Sequence, residues 1–161
     1  MKTNAARILD GLRISYKISE YQVDESDLSA EAVARKVGLP VGQVFKTLVV
    51  RGDKSGVLMA CIPGAAELDL KALAAVSRNK KVEMVQLKEV QPLTGYIRGG
   101  VSPIGAKKHY PVYVDASVLQ WAEVSVSAGM RGKQIVLPPA DLIRAVNAQV
   151  SVLIRSEDAK I

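Results

Sequence analysis

Apolar residues recur three or four positions apart in several parts of the chain, which is the spacing of an amphipathic helix. In residues 3–14 this pattern begins directly after Thr3, whose hydroxyl can cap the first turn of the helix. Ser29 and Asp69 precede two further helical stretches in the same way, and Gly38 follows the first of them, as expected for a left-handed C-cap. The predicted helices cover residues 3–14, 30–37, 70–76, 87–90 and 141–148.

Elsewhere, apolar and β-branched residues alternate or form short runs, which is typical of strands. The clearest pair covers residues 44–51 and 56–62 and is joined by a Gly-Asp-Lys-Ser turn, so it predicts a β-hairpin. Further strands are predicted at residues 14–23, 82–85, 112–114, 123–126, 134–137 and 150–154.

The order of these elements predicts an α+β fold. Hairpins are mixed with isolated helices and no linker interrupts the sequence, so we expect one domain over residues 1–161. Its strands should form a mixed, bent β-sheet with surrounding helices. The glycine-rich turns between strands would also permit a barrel-like closure of that sheet.

The composition is that of a folded protein with an excess of positive charge. Of the 161 residues, 48% are hydrophobic and the net charge is +6, which excludes a disordered chain and favours a polyanionic partner. Aromatic residues make up only 4%, so we expect phosphate contact rather than stacking of bases.

Several other classes of protein are not expected. The longest apolar run, residues 56–66, is too short to span a membrane and no signal peptide precedes it, which predicts a cytoplasmic protein. The single cysteine, Cys61, cannot form an internal disulfide, and the spacings of a zinc site are absent. We therefore expect neither a metal nor a cofactor.

Lys46 is the residue whose position points most directly to chemistry. In a strand it shares a face with Val44, Leu48 and Val50, so its ammonium group would project from an apolar row. It could extend into solvent from a strand edge, or it could be held beside a carbonyl group and stabilise developing negative charge. The residue pattern leaves both interpretations open.

Two glycine-rich segments followed by cations are the second feature. Residues 99–105 precede Lys107 and Lys108, and residues 127–132 carry Arg131 and precede Lys133. Glycine lets backbone N–H groups approach an anion, and the cations favour a phosphate nearby. Tight turns are the alternative for both segments.

No conventional nucleophile or general base stands out. Cys61 lies in an apolar strand, which is typical of a buried, inert thiol. His109 is the only histidine and lies in a cationic stretch typical of a solvated loop. An enzyme with these residues would work through positioning, backbone donors and Lys46, which favours activation of the carbonyl of a reactive ester.

Six motifs occur in the order in which one bacterial family carries them. They are Val44-Phe45-Lys46-Thr47-Leu48-Val49-Val50, Leu68-Asp69-Leu70, Lys80-Lys81-Val82-Glu83-Met84, Thr94-Gly95-Tyr96, Gly99-Gly100-Val101-Ser102-Pro103-Ile104-Gly105-Ala106-Lys107-Lys108 and Ser127-Ala128-Gly129-Met130-Arg131-Gly132. Over residues 8–154 the chain thus resembles the YbaK/EbsC-type bacterial Cys-tRNA(Pro) deacylases, relatives of the prolyl-tRNA synthetase editing domain. The resemblance implies the fold of that family.

The resemblance further implies a trans-editing enzyme that removes cysteine from tRNA(Pro), with Cys-tRNA(Cys) as a second candidate substrate. The substrate's own thiol would attack its ester, with Lys46 and Tyr21 as catalytic residues. The implied substrate-binding residues are Phe45, Thr47, Gly99, Gly100, Val101, Ser102, Ser127, Gly129 and Gln134. The cations expected on the tRNA backbone are Lys107, Lys108, Arg131 and Lys133. The implied partner is the acceptor end of an aminoacyl-tRNA, and prolyl-tRNA synthetase is a candidate second partner.

The chain departs from the family pattern at several positions. Phe45 stands where many relatives carry tyrosine, Ala128 replaces a glycine, and Gln134 replaces a common aspartate. Leu28 or Ser29 occupies the place of an aromatic residue found in some members. These differences affect which amino acid the pocket accepts more than they affect the fold. A pocket discriminates between small side chains by only about 1–3 kcal/mol of binding free energy per methylene, so small changes in its lining matter.

Three other functions fit the residues. Ala-tRNA(Pro) hydrolysis by an activated water molecule would use the same pocket. A non-catalytic module that binds tRNA or a synthetase would dock the acceptor end without cleaving it. A small-molecule binding protein would carry its positive charge only as surface solvation.

Overall fold

A computed structural model describes residues 2–155 as five α-helices and eight β-strands. The helices are α1 (Asn4–Gly11), α2 (Ala30–Val37), α3 (Leu70–Val76), α4 (Val90–Thr94) and α5 (Pro139–Val146). The strands are β1 (Lys17–Glu20), β2 (Phe45–Gly52), β3 (Gly56–Pro63), β4 (Val82–Met84), β5 (Val112–Asp115), β6 (Val124–Ser127), β7 (Lys133–Leu137) and β8 (Gln149–Ser151). Short 3-10 turns cover Val41–Gln43, Leu87–Glu89 and Ala116–Gln120.

The strands form two sheets. The larger has the order β4-β2-β3-β5-β8, with antiparallel pairing of β2 to β3 and β4 and parallel pairing of β5 to β3 and β8. The smaller sheet, β1-β7-β6, is antiparallel. A parallel bridge between Val44 and Ser125 brings β6 against the beginning of β2. The α+β class and the mixed sheet are confirmed, but the barrel-like closure is not, because the described strands form two sheets rather than one closed sheet.

Two apolar cores cover the two faces of the central hairpin. Phe45 of β2 and Ile135 of β7 belong to the larger core, which lies between the sheets and includes residues of α1 and α5. Val50 of β2 and Leu73 of α3 belong to the smaller one. Because β3 is buried on both faces, its sequence is almost continuously apolar instead of alternating.

The predicted helix caps are present. Thr3 accepts a hydrogen bond from the Ala6 N–H at 3.2 Å, and Ser29 accepts one from the Ala32 N–H at 3.2 Å. Asp69 caps α3 in the same way, and Gly38 ends α2 in the left-handed region at φ 75°.

Two of the predicted strands are shorter in the structure. β1 covers only Lys17–Glu20 rather than residues 14–23, because the Ile14 N–H closes the end of α1 on the Leu9 carbonyl. β8 ends at Ser151 instead of reaching residue 154, because the Leu153 N–H turns to the Asp115 carboxylate at 2.8 Å.

Three predicted helices have different ends. The helix predicted at residues 3–14 is α1, which covers only Asn4–Gly11. The helix predicted at residues 87–90 is a 3-10 turn followed by α4, which runs through Pro92 to Thr94. Pro92 is tolerated because it lies in the first turn, where backbone N–H groups have no partner within the helix. For the same reason α5 begins at Pro139, earlier than the predicted residue 141.

Candidate active-site cleft

A cleft of about 570 Å³ opens beside β2, and we call it the Lys46 cleft. Residues 44–49 of β2 and its approach line it, together with the segment 26–31 before and at the start of α2. The segment 84–90, from the last residue of β4 onward, contributes four residues. Val33, Arg98, Gly99, Val101, Ser127 and Gln134 complete the lining. Both sheets and both glycine-rich segments therefore meet at this cleft.

Lys46 is the second residue of β2 and stands opposite Ile62 of β3. It is half-buried, and within residues 2–155 it has no hydrogen-bond or ion-pair partner. The hairpin pairing with β3 fixes its backbone on one side, whereas β4 pairs only with Val50–Gly52 at the other end of β2. Lys46 thus presents a cation that no carboxylate in the described part of the chain neutralises.

The smaller sheet supplies a neutral polar wall. Gln134 is buried and its Oε1 accepts a hydrogen bond from the Ser125 Oγ at 2.7 Å. Ser127, also buried, accepts a hydrogen bond from the Gly129 N–H at 3.1 Å. The Val44–Ser125 bridge holds this wall beside the start of β2. These side chains are fixed by their own hydrogen bonds, so the wall is rigid and uncharged.

The two glycine-rich segments lie against each other. A Cβ atom on Gly100 would lie 3.1 Å from the Met130 Cα and the Arg131 N, so only glycine allows this approach of the two backbones. Tyr96 also joins the segments, because a Cβ atom on Gly129 would lie 2.9 Å from its ring. Its hydroxyl donates to the Ile104 carbonyl at 2.6 Å.

The first glycine segment begins with a tight turn. The Gly100 N–H donates to the Ile97 carbonyl at 2.9 Å, and Gly99 has φ 85°, which is the geometry of a type II turn. Arg98 occupies the corner before Gly99. The Arg131 Nε donates to the Arg98 carbonyl at 2.8 Å and holds this peptide in place.

The segment before α2 forms a wall that sequence analysis did not include in the site. Leu28 packs against Gly99, since a Cβ atom on this glycine would lie 3.4 Å from the leucine side chain. Asp27 lines the rim and is paired with Arg35 at 3.6 Å. Hydrogen bonds from Ser29 lower the pKa of Asp27. The signal in the sequence was the family resemblance, in which Leu28 or Ser29 occupies the place of an aromatic residue that closes the pocket in some members.

The structure brings only some of the predicted site residues to the cleft. Those that line it are Phe45, Lys46, Thr47, Gly99, Val101, Ser127 and Gln134. Gly100, Ser102 and Gly129 are not in its lining, and Ser102 is fully buried with its Oγ accepting from the Ile104 N–H at 3.2 Å. Tyr21 is not in the lining either, but it packs on the small cluster of Val33, Ala34 and Val44, of which Val33 and Val44 line the cleft.

The four predicted tRNA-contacting cations divide into two pairs. Lys107 and Lys108 are exposed but lie outside the lining of the cleft. Arg131 and Lys133 lie near acidic residues, at 4.0 Å from Glu25 and 3.8 Å from Glu20 respectively. Arg98, by contrast, lines the cleft and was not among the predicted cations.

Cys61 lies on β3 inside the larger core and does not line the cleft. Burial raises the pKa of its thiol to about 12, against a smaller lowering by the Thr47 hydroxyl 3.6 Å away. Because the thiolate is the reactive form, we expect iodoacetamide to leave the folded protein unmodified at pH 8 and to modify it in denaturant. Mass spectrometry of the alkylated protein measures this, and rapid labelling of the folded chain would contradict the burial.

The remaining candidates for a catalytic or metal-binding role give no second site at the Lys46 cleft. His109 lines a second, smaller cleft of about 390 Å³ that shares no residue with the Lys46 cleft. Within residues 2–155 no group of three or more His, Cys, Asp or Glu side chains could hold a metal ion. In the same part of the chain no helix is long and apolar enough to cross a membrane.

Comparison with known proteins places this geometry in a family. The aminoacyl-tRNA editing domain family matches residues 24–145. The "putative Cys-tRNA(Pro)/Cys-tRNA(Cys) deacylase EbsC" of Enterococcus faecalis is 47% identical over 97% of this chain and 95% of its own. The "multifunctional Ser/Thr-tRNA deacylase ProXp-y" of Escherichia coli K12 is 27% identical over 74% of each chain.

A solved structure has the same fold. A crystal structure described as "a putative trans-editing enzyme for prolyl tRNA synthetase" superposes with a TM-score of 0.82 and 28% identity. The match covers 97% of this chain and 100% of the other.

Proposed function

The chain belongs to the aminoacyl-tRNA editing domain family, and on that premise we propose that it is a deacylase that removes cysteine wrongly attached to tRNA(Pro). The observation that carries this proposal is Lys46, a cation without a protein partner among residues 2–155, in a cleft whose lining holds neither cysteine nor histidine. Such a cleft can stabilise negative charge on a bound ester but offers no strong nucleophile of its own. A substrate that carries its own nucleophile fits it best.

In the proposed reaction the cysteine thiol attacks the carbonyl carbon of its own ester. A C–S bond forms, the bond from the carbonyl carbon to the ribose oxygen breaks, and the thiol proton passes to that oxygen. The products are a cyclic thiolactone and tRNA with a free 3′ end. The Lys46 ammonium would stabilise the negative charge that develops on the carbonyl oxygen, and the neutral amide of Gln134 adds no opposing negative charge.

The names of two relatives indicate which amino acid is removed from the tRNA. The Enterococcus relative is named for cysteine on tRNA(Pro) and tRNA(Cys), and it is far more similar to this chain than the Escherichia relative named for serine and threonine. Cysteine is therefore the first candidate. Serine is the second, since its side chain has nearly the same size and the Ser127 and Gln134 wall is polar.

The proposed partner is the acceptor end of the tRNA. The cleft is large enough for an aminoacyl group with part of a nucleoside, but not for the body of a tRNA. Prolyl-tRNA synthetase is the proposed second partner, since the solved relative is described as editing for that enzyme. Such a complex would provide selectivity among tRNAs, which a cleft of this size cannot provide on its own.

The experiment that separates a deacylase from a binding module is cysteine release with tRNA binding measured in parallel. We expect the purified protein, in excess over labelled Cys-tRNA(Pro), to release cysteine faster than buffer does, and binding to weaken as salt rises. Binding without faster release would contradict the proposed activity and support a tRNA-binding module. The absence of both would leave the small-molecule alternative.

A further inference from the structure

We propose that Arg98 binds a phosphate of the tRNA acceptor strand at the rim of the Lys46 cleft. The inference rests on the proposed function for the nature of the ligand, a single-stranded nucleic-acid end. It assigns to Arg98 the contact that sequence analysis assigned to Arg131 and Lys133.

The charges near the cleft favour Arg98. Arg98 is exposed and lines the cleft, and within residues 2–155 its guanidinium group has neither a hydrogen-bond nor an ion-pair partner. The other arginine of this region, Arg131, donates to a backbone carbonyl and lies 4.0 Å from Glu25. At the rim, Arg98 is thus the arginine whose planar donors are available for a phosphate.

The backbone of Arg98 is held rigidly. Arg98 precedes Gly99 in a type II turn that is closed by the Gly100 N–H. The turn therefore fixes the orientation of the Arg98 backbone. The hydrogen bond from Arg131 to the Arg98 carbonyl fixes the central peptide of this turn. Arg131 therefore acts as a positioning residue, and less entropy is lost when Arg98 meets a phosphate.

The substrate can contact both residues at once. In an ester bound beside Lys46, the esterified ribose carries a phosphate on its 5′ oxygen. Lys46 on β2 and Arg98 just before the first glycine segment line the same cleft, so one acceptor end can meet both. Lys46 then contacts the ester, and Arg98 contacts the phosphate backbone of the tRNA.

The test is the salt dependence of tRNA binding for the Arg98→Ala variant. Each phosphate contact on a single strand contributes about 0.7 to the slope of log K against log salt, so the variant should lose about 0.7 from the magnitude of that slope between about 50 and 200 mM salt. Affinity at low salt should fall by about fivefold. Fluorescence anisotropy with uncharged tRNA(Pro) measures both quantities, and it gives a result even if the protein deacylates nothing.

Two further variants make the test specific. Arg7→Ala removes the same charge from the exposed face of α1, away from both clefts, and should leave the slope unchanged. Arg98→Lys keeps the charge and should keep most of the slope. If Arg98→Ala and Arg7→Ala give equal slopes, or if Arg98→Ala matches the wild type while its melting temperature is normal, the proposal is wrong.

Discussion

Replacement of Lys46 by alanine is expected to slow cysteine release from Cys-tRNA(Pro) by about 100-fold to 1,000-fold, the effect of losing one group that stabilises an oxyanion. Lys46 lines the cleft from the second position of β2 and has no partner within residues 2–155 that would need it for folding. Its loss should therefore affect the rate far more than the stability. Single-turnover release of labelled cysteine measures the effect.

The control is Lys54→Ala in the turn between β2 and β3. Lys54 is exposed, and its backbone N–H, which the substitution keeps, donates to the Asn79 Oδ1 at 2.8 Å. This variant removes the same charge from the same hairpin and should keep the wild-type rate. If Lys46→Ala releases cysteine at the wild-type rate and its melting temperature is unchanged, Lys46 has no role in the mechanism.

Gly100→Ala is expected to destabilise the protein by about 1–3 kcal/mol and to slow deacylation by about tenfold or more. The added methyl group would lie 3.1 Å from three backbone atoms of Met130 and Arg131, and backbone cannot move aside as a flexible side chain can. The two glycine segments would have to separate. Gly99 and Ser127, which line the cleft from these two segments, would then shift relative to Lys46.

The matched control for this variant is Gly11→Ala at the end of α1. A Cβ atom there meets nothing within 4 Å, so the substitution should be neutral or raise stability by about 0.5–1 kcal/mol. Urea denaturation of both variants, together with single-turnover release, separates stability from activity. Equal stability and equal rates for the two variants would show that the close approach of the segments has no role.

Local patterns predicted the parts of the site that lie on regular elements. The position of Lys46 follows from the alternation of β2 and the turn after it, both of which are properties of a short stretch of sequence. The tight turn at the start of the first glycine segment was one of the two interpretations of its sequence, whereas the contact between the two glycine segments became visible only in the fold. The predicted caps at Thr3, Ser29 and Asp69 are present as well, since a cap depends on the next three residues only.

The missed parts of the site depend on contacts between distant residues. Leu28 meets Gly99 across more than seventy positions of sequence, and nothing near Leu28 indicates that contact. Arg131 looked like a phosphate ligand because it follows a glycine-rich loop, yet its side chain holds the carbonyl of Arg98, thirty-three positions away. Arg98, followed by two glycines, gave no periodic signal, and the turn that presents it became visible only in the fold.

The most direct test of the proposed mechanism compares cysteine and serine on the same tRNA(Pro). The two side chains differ by one atom, and only the thiol is a strong nucleophile near neutral pH. We predict that the protein accelerates release from Cys-tRNA(Pro), and that this acceleration is lost in Lys46→Ala, while Ser-tRNA(Pro) decays at its rate in buffer. Equal acceleration of serine and cysteine release would contradict attack by the substrate's thiol and would place water, or a group of the protein, as the nucleophile.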